Sequence, residues 1–155
     1  MMRKTKRLIL ICIISLLSIN VNAQNENEYD WSQVMNAIIQ VESKGNPKAV
    51  DASGTCVGIL QMKSILIKEV NNILRMKKEK KRYTDSDRYN VEKSKEMFII
   101  LQEHFNKNHN VEKAIRYWNA GFYYEKAYGT AALNRKTKNY YKKVMNHYKN
   151  NQGGN

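Results

Sequence analysis

Proline and cysteine are nearly missing from this chain, which has one proline, Pro47, and two cysteines, Cys12 and Cys56, in 155 residues. With so little proline, few positions force a break in a helix. Cys12 lies in a stretch that reads as a removable leader, so the mature chain keeps Cys56 alone and an intramolecular disulfide is excluded. A lone cysteine between Thr55 and Val57 is most simply a small buried hydrophobe. One cysteine and three scattered histidines make no metal-ligand cluster, and neither a metal nor another cofactor is expected. Internal repeats are absent, and no stretch alternates with period two for long enough to make a sheet. Acidic residues are scarce too, 14 against 27 Lys and Arg.

The basic excess begins at the N-terminus with Arg3, Lys4, Lys6 and Arg7. An apolar run from Leu8 to Ile19 follows, too short for a comfortable membrane span. Val21-Asn22-Ala23 then places small residues where a signal peptidase reads. Residues 1–23 therefore read as a cleaved secretory signal, with Gln24 first in the mature chain and an uncleaved membrane anchor as the alternative. Ile11, just before Cys12, is too large for a lipoprotein signal. Cleavage removes four positive charges and lowers the net charge from +13 to about +9. An exported basic protein meets acidic polymers of the cell envelope, and no nucleic-acid motif accompanies the charge. Lys77 to Arg82, KKEKKR, reads as a solvated run.

Beyond a short segment over 24–29, the apolar spacing is helical from 30 to 148. Asp30 and Gln33 can form a capping box ahead of a first helix, with Trp31, Met35 and Ile38 along one face. A second helix is expected after Ser64, with Leu66, Val70, Ile73 and Leu74 on one side. The segment from the charged run to Asp87 reads as a loop. A third helix is expected over Asn90–Lys107 and a fourth after Asn110, where Val111, Ala114, Ile115 and Trp118 keep helical steps. A last helix is expected from about Thr137 to Tyr148, with Tyr140, Tyr141 and Val144 recurring. The tail over 149–155 reads as disordered. The fold expected is mainly α, one helical domain with little or no sheet.

The face of the first helix, continued through Trp31, Met35 and Ile38, arrives at Glu42. A carboxylate there is partly desolvated, which raises its pKa and suits a general acid. Position alone leaves open a solvent-exposed helix end or a lysine partner. The context adds more. Glu42-Ser43 followed by Asn46-Pro47-Lys48-Ala49-Val50 resembles the catalytic signature of the lytic transglycosylase family, the SLT-type domain related to goose-type lysozyme. Gly58-Ile-Leu-Gln61, Ala114-Ile-Arg-Tyr-Trp-Asn-Ala-Gly121 and Thr137-Lys-Asn-Tyr-Tyr-Lys-Lys-Val144 resemble its later elements, in the family's order and near its spacing.

The resemblance implies a lysozyme-like fold and a peptidoglycan glycan strand as substrate, cut between N-acetylmuramic acid and N-acetylglucosamine. It implies Glu42 as the single acid and base, with a 1,6-anhydromuramoyl product. Gly58 would let backbone approach the sugar, and Gln61 and Asn119 carry amides suited to sugar hydroxyl or acetamido groups. Tyr140 could hydrogen-bond near Glu42, and Ser43 supports the helix end, the glutamate or the substrate. Tyr123, Tyr124 and Tyr128 could line a saccharide groove or simply pack. A monomer is expected, with a cell-envelope secretion or conjugation complex as a conceivable partner.

The chain departs from the pattern in places. Its loop from Val50 to Gly58 is one residue longer than usual. Asp51 stands where a small hydroxyl residue is common, with Ser53 as a substitute if the loop shifts. Trp118 replaces a tyrosine, Ser64 a proline and Lys136 an acidic residue. Two alternatives follow: a muramidase with Asp51 as second carboxylate, or a domain that binds glycan without cleaving it.

Overall fold

The computed structural model describes residues 29–151. The expected signal over 1–23, most of the segment after it and tail residues 152–155 lie outside the described residues.

The first helix, α1, runs over Ser32–Glu42 and buries Val34, Met35, Ala37, Ile38 and Ile39. Apolar residues at helical steps give it one stripe to bury, and the stripe faces the core. Its start corrects the expected capping box. Trp31 occupies the cap position, while Asp30 accepts a hydrogen bond from the Ser32 amide at 2.8 Å. The reason is burial: the Trp31 ring is 1% exposed, and its Nε1 donates to Glu103 Oε1 at 2.7 Å.

After α1 the chain makes a small antiparallel hairpin, β1 (Cys56–Val57) and β2 (Met62–Lys63), with Cys56 opposite Lys63 and Val57 opposite Met62. Val50 bridges to Val57 beside it. Helix α2 spans Ser64–Met76 and buries Ile67, Val70, Ile73 and Leu74. Residues 77–82 are all exposed, as a solvated charge run should be.

The stretch before Asp87, expected to be a loop, runs into a 3-10 turn over Asp85–Tyr89. Thr84 and Asp87 close it locally: the Thr84 amide donates to Asp87 Oδ2 at 2.7 Å, and the Asp87 amide to the Thr84 carbonyl at 3.1 Å. Such side-chain bonds offer the backbone an alternative to open loop.

Helices α3 (Val91–Phe105) and α4 (Val111–Ala120) begin where expected. The Asn90 side chain accepts from the Lys93 amide, and Asn110 from that of Lys113. A short helix, α5 (Tyr124–Tyr128), stands where the sequence suggests only an aromatic-rich loop. The last helix, α6, covers Thr130–Asn150 and so begins two turns early, directly after Gly129. Ala131, Ala132 and Leu133 are good helix formers, and Leu133 is 1% exposed, so the added turns also bury apolar surface.

Helix α6 packs along α1, α4 and α5, while α2 packs on α3. Between them sit Trp31, Ile38, Leu60, Phe98, Leu101, Ile115 and Val144, all buried. Each large apolar side chain stabilises such a core by about 1.5–3 kcal/mol. The architecture is mainly α, with the two-stranded hairpin as the sheet among the described residues.

Candidate active site

Glu42 is the last residue of α1, where the apolar stripe runs out. Tyr140 Oη, from the middle of α6, donates to its Oε1 at 2.6 Å across 98 residues of chain. Two effects compete at this carboxyl. Burial disfavours the charged form and raises the pKa, while the tyrosine hydrogen bond favours it and lowers the pKa; burial wins. The C-terminal end of α1 carries its own partial negative charge, which also disfavours an anion there. Among the described residues, no charged side chain shares in the shift. Tyr140 in turn has its pKa pushed upward, first by burial and then by the carboxylate beside it, so it remains a donor.

The turn from Gly58 to Gln61 lies against this helix end. Ser43 Oγ donates to the Ile59 carbonyl at 2.7 Å, which fastens the end of α1 to the turn. Its hydroxyl hydrogen is therefore engaged with protein in the support role, while its oxygen keeps acceptor capacity for a ligand. Gln61 Nε2 donates to the carbonyls of Gly58 (2.9 Å) and Ala49 (3.1 Å), leaving its amide oxygen as the group a ligand can meet. Trp118 Nε1 donates to the Leu60 carbonyl at 3.2 Å, so the residue that replaces the usual tyrosine ties α4 to the same turn.

Gly58 needs a different explanation from the expected one. It sits at φ +77°, and a Cβ built there would lie 1.9 Å from the Arg88 carbonyl oxygen. The space its missing side chain leaves is filled by protein backbone, so close approach to a sugar is not what requires glycine here. Arg88 itself, which no sequence motif singles out, is 6% exposed. Its Nη1 donates to the carbonyls of Met62 (2.9 Å) and Thr55 (3.2 Å), and its Nη2 pairs with Asp85. It stitches the hairpin to the 3-10 turn. No local sequence signal separates it from the other basic residues nearby.

Asp51 does not share the environment of Glu42. Its Oδ1 accepts from the amides of Thr55 (2.8 Å) and Cys56 (2.9 Å), and its Oδ2 from Ser53 Oγ at 2.6 Å. These bonds, led by the one from Ser53, hold its pKa below the ordinary carboxylate value. Asp51 closes the long loop on itself, and Ser53, exposed, is part of that closure and hydrogen-bonds Thr55 as well. The Asp51 charge takes no part in raising the Glu42 pKa.

Asn119 is exposed on the last turn of α4. A groove of about 330 Å³ begins at Ala120 and Gly121 and runs between α2 and α5, lined by Ile65, Leu66, Tyr124 and Tyr128 among others. Ile65, Tyr123 and Tyr128 are more than half exposed along it, and Tyr123 Oη donates to Glu69 Oε1 at 2.8 Å. Lys136, in place of an acidic residue, sits 5.2 Å from the centre of the Tyr124 ring.

One carboxyl biased toward its acid form, with the Gln61 amide on the turn fastened to its helix end, belongs to the chemistry of lysozyme-like enzymes that cleave glycans. The comparison with known families agrees: the model of the Transglycosylase SLT domain matches residues 19–149, and the chain belongs to that family, the peptidoglycan lytic transglycosylases. It is thus a lyase acting on the peptidoglycan glycan. No curated protein and no solved structure matches it.

Proposed function

We propose that Glu42 is the sole general acid and base in cleavage of the MurNAc-β-1,4-GlcNAc bond, with a 1,6-anhydromuramoyl end as product. Its protonated carboxyl gives its proton to the glycosidic oxygen as the bond from that oxygen to the muramoyl C1 breaks. The sugar's own acetamido group stabilises the oxocarbenium-like centre, so a second protein carboxylate is not required. Glu42, now ionised, takes the proton of the muramoyl C6 hydroxyl as that oxygen bonds to C1. The proton count closes, and no water is consumed.

The observation that carries this reading is the contrast in burial and bonding: a desolvated Glu42 with Tyr140 as its hydrogen-bond partner, and an Asp51 committed to its own loop. An ionised carboxylate with lowered pKa is a weak base for activating water, which disfavours the muramidase alternative. Gln61 and Asn119 supply amides for sugar hydroxyl and acetamido groups, and the groove beyond Gly121 offers aromatic surface for further sugar rings. The leader-like residues 1–23 support export, which puts the enzyme where its substrate is. Mass spectrometry of sacculi digested by the purified protein tests the proposal. Muropeptides one water lighter than hydrolytic products are expected, and reducing muramic acid ends would replace it with a hydrolase.

A further inference from the structure

Arg116 lies on α4, three residues before Asn119, and is 9% exposed. Its Nη1 donates to Thr137 Oγ1 at 2.7 Å and to the Asn134 carbonyl at 3.4 Å. Its Nε donates to Glu112 Oε1 at 2.8 Å, and the guanidinium stacks 4.2 Å from the centre of the Tyr141 ring. Thr137, fully buried, donates onward to the Leu133 carbonyl at 2.8 Å. Asn134, Thr137 and Tyr141 are spaced by three and four residues, so one guanidinium grips a single face of α6.

A buried guanidinium is an expensive way to join two helices, since taking its charge out of water costs several kcal/mol. Its charge partner Glu112 is 49% exposed, which weakens the compensation. Apolar side chains would pack α4 on α6 at lower cost but would leave the rotation of α6 loosely set. A planar fork with directional donors sets it. Rotation matters here because Tyr140 lies on the neighbouring face of α6, three residues past Thr137, and reaches Glu42 from there. With Cα atoms about 2.3 Å from a helix axis and a long side chain beyond, a turn of roughly 15° moves a tyrosine hydroxyl by about 2 Å. That is enough to break its hydrogen bond.

We propose that Arg116 is a positioning residue for the active-site acid: by gripping Asn134, Thr137 and Tyr141 it sets the rotation of α6 that brings Tyr140 Oη onto Glu42 Oε1. It touches neither substrate nor Glu42. Among the described residues Tyr140 is the titratable group that acts on Glu42, so the state of this contact is readable at the glutamate. The kinetic part of the proposal rests on Glu42 being the acid; the geometric part does not.

The test is an NMR titration of the Glu42 carboxyl carbon in the mature protein, alongside the pH profile of sacculus cleavage. The Tyr140 bond lowers the Glu42 pKa against burial, so losing it lets the pKa rise. Tyr140→Phe and Arg116→Met should both move the titration upward. Arg116→Met added to Tyr140→Phe should move it no further, since coupled residues are not additive. Arg116→Lys should give a partial shift. Turnover in Arg116→Met should fall about 10- to 100-fold with KM little changed, the scale of a misplaced catalytic group. A lower melting temperature with an unmoved Glu42 titration would overturn the proposal, as would additive shifts in the double variant. Should Arg116→Met fail to fold, Thr137→Val and Arg116→Lys take its place in the same titration: an upward shift is expected, and an unmoved Glu42 overturns the proposal. A shifted titration with unchanged turnover upholds the geometric part and overturns the kinetic part, and retained cleavage in Glu42→Gln is the separate result that would remove Glu42 from the chemistry.

Discussion

Two carboxylates nine residues apart in this chain face opposite physical conditions. Glu42 ends a helix on its buried stripe and has Tyr140 as its hydrogen-bond donor, whereas Asp51 lies in a turn where two amides and a serine hydroxyl converge on it. Burial drives the first toward its protonated form; hydrogen bonds hold the second ionised. Neither residue's type nor its distance along the chain predicts this. The number of donors and the loss of hydration decide which carboxyl can give up a proton and which one ties a loop together.

The sharpest way to break the contrast is Glu42→Gln, an amide of the same shape without an acidic proton. Cleavage of sacculi should fall by about 10²–10⁴-fold. Its stability should run the other way. A carboxyl whose folded pKa is raised contributes stability fully below its ordinary value of 4.5, and that contribution is lost as pH rises through the raised value. Glu42→Gln escapes the loss, so it should melt higher than the parent at neutral pH, with the gap closing on acidification. A variant that melts lower at every pH would make Glu42 a structural residue.

Gly58→Ala should have the next largest effect, this time on folding. A left-handed backbone costs a non-glycine residue on the order of 1–3 kcal/mol, and overlap with the Arg88 carbonyl adds to it. Thermal melts should show a large loss, with activity falling because the turn that bears Gln61 shifts. A stable Gly58→Ala protein that loses only substrate binding would restore the sugar-approach explanation. Ser43→Ala should be milder, about 0.5–1.5 kcal/mol for the lost bond to Ile59. Turnover should drop less than in Glu42→Gln, and binding of a glycan fragment, followed by fluorescence or calorimetry, should be retained.

Asp51→Asn sits at the small end. A lowered pKa contributes stability above the ordinary value of 3.8 and loses it as pH falls. The asparagine variant should therefore melt slightly lower than the parent at neutral pH and converge with it in acid. Its products should remain anhydro-ended and its pH limits unmoved, because Asp51 takes no part in the Glu42 shift. Collapse of activity in this variant would erase the contrast between the two carboxylates.

Most helices are legible because their apolar residues recur at helical steps: α2, α3 and α4 begin within a residue or so of Ser64, Asn90 and Asn110 as expected. Glu42 is legible for the same reason, as the next step of the stripe through Trp31, Met35 and Ile38. The features that escape the sequence share a cause. The early turns of α6 and the short α5 carry weak periodic signals, and the 3-10 turn depends on Thr84 and Asp87 side chains bonding backbone. The reason for Gly58 lies at Arg88, far along the chain, and the partner of Ser43 is a carbonyl 16 residues away.

Local pattern thus determined that this chain would be a mainly helical domain with one carboxyl at the end of a buried stripe, since helical periodicity and side-chain type are properties of neighbours in sequence. Only the tertiary structure decided how that carboxyl is poised. Tyr140 reaches it across 98 residues, Arg116 grips α6 from another helix, and Asp51 spends its oxygens on its own loop. Hydrogen bonds and desolvation act over a few ångströms of space, and which groups come that close is set by the packing of helices against one another.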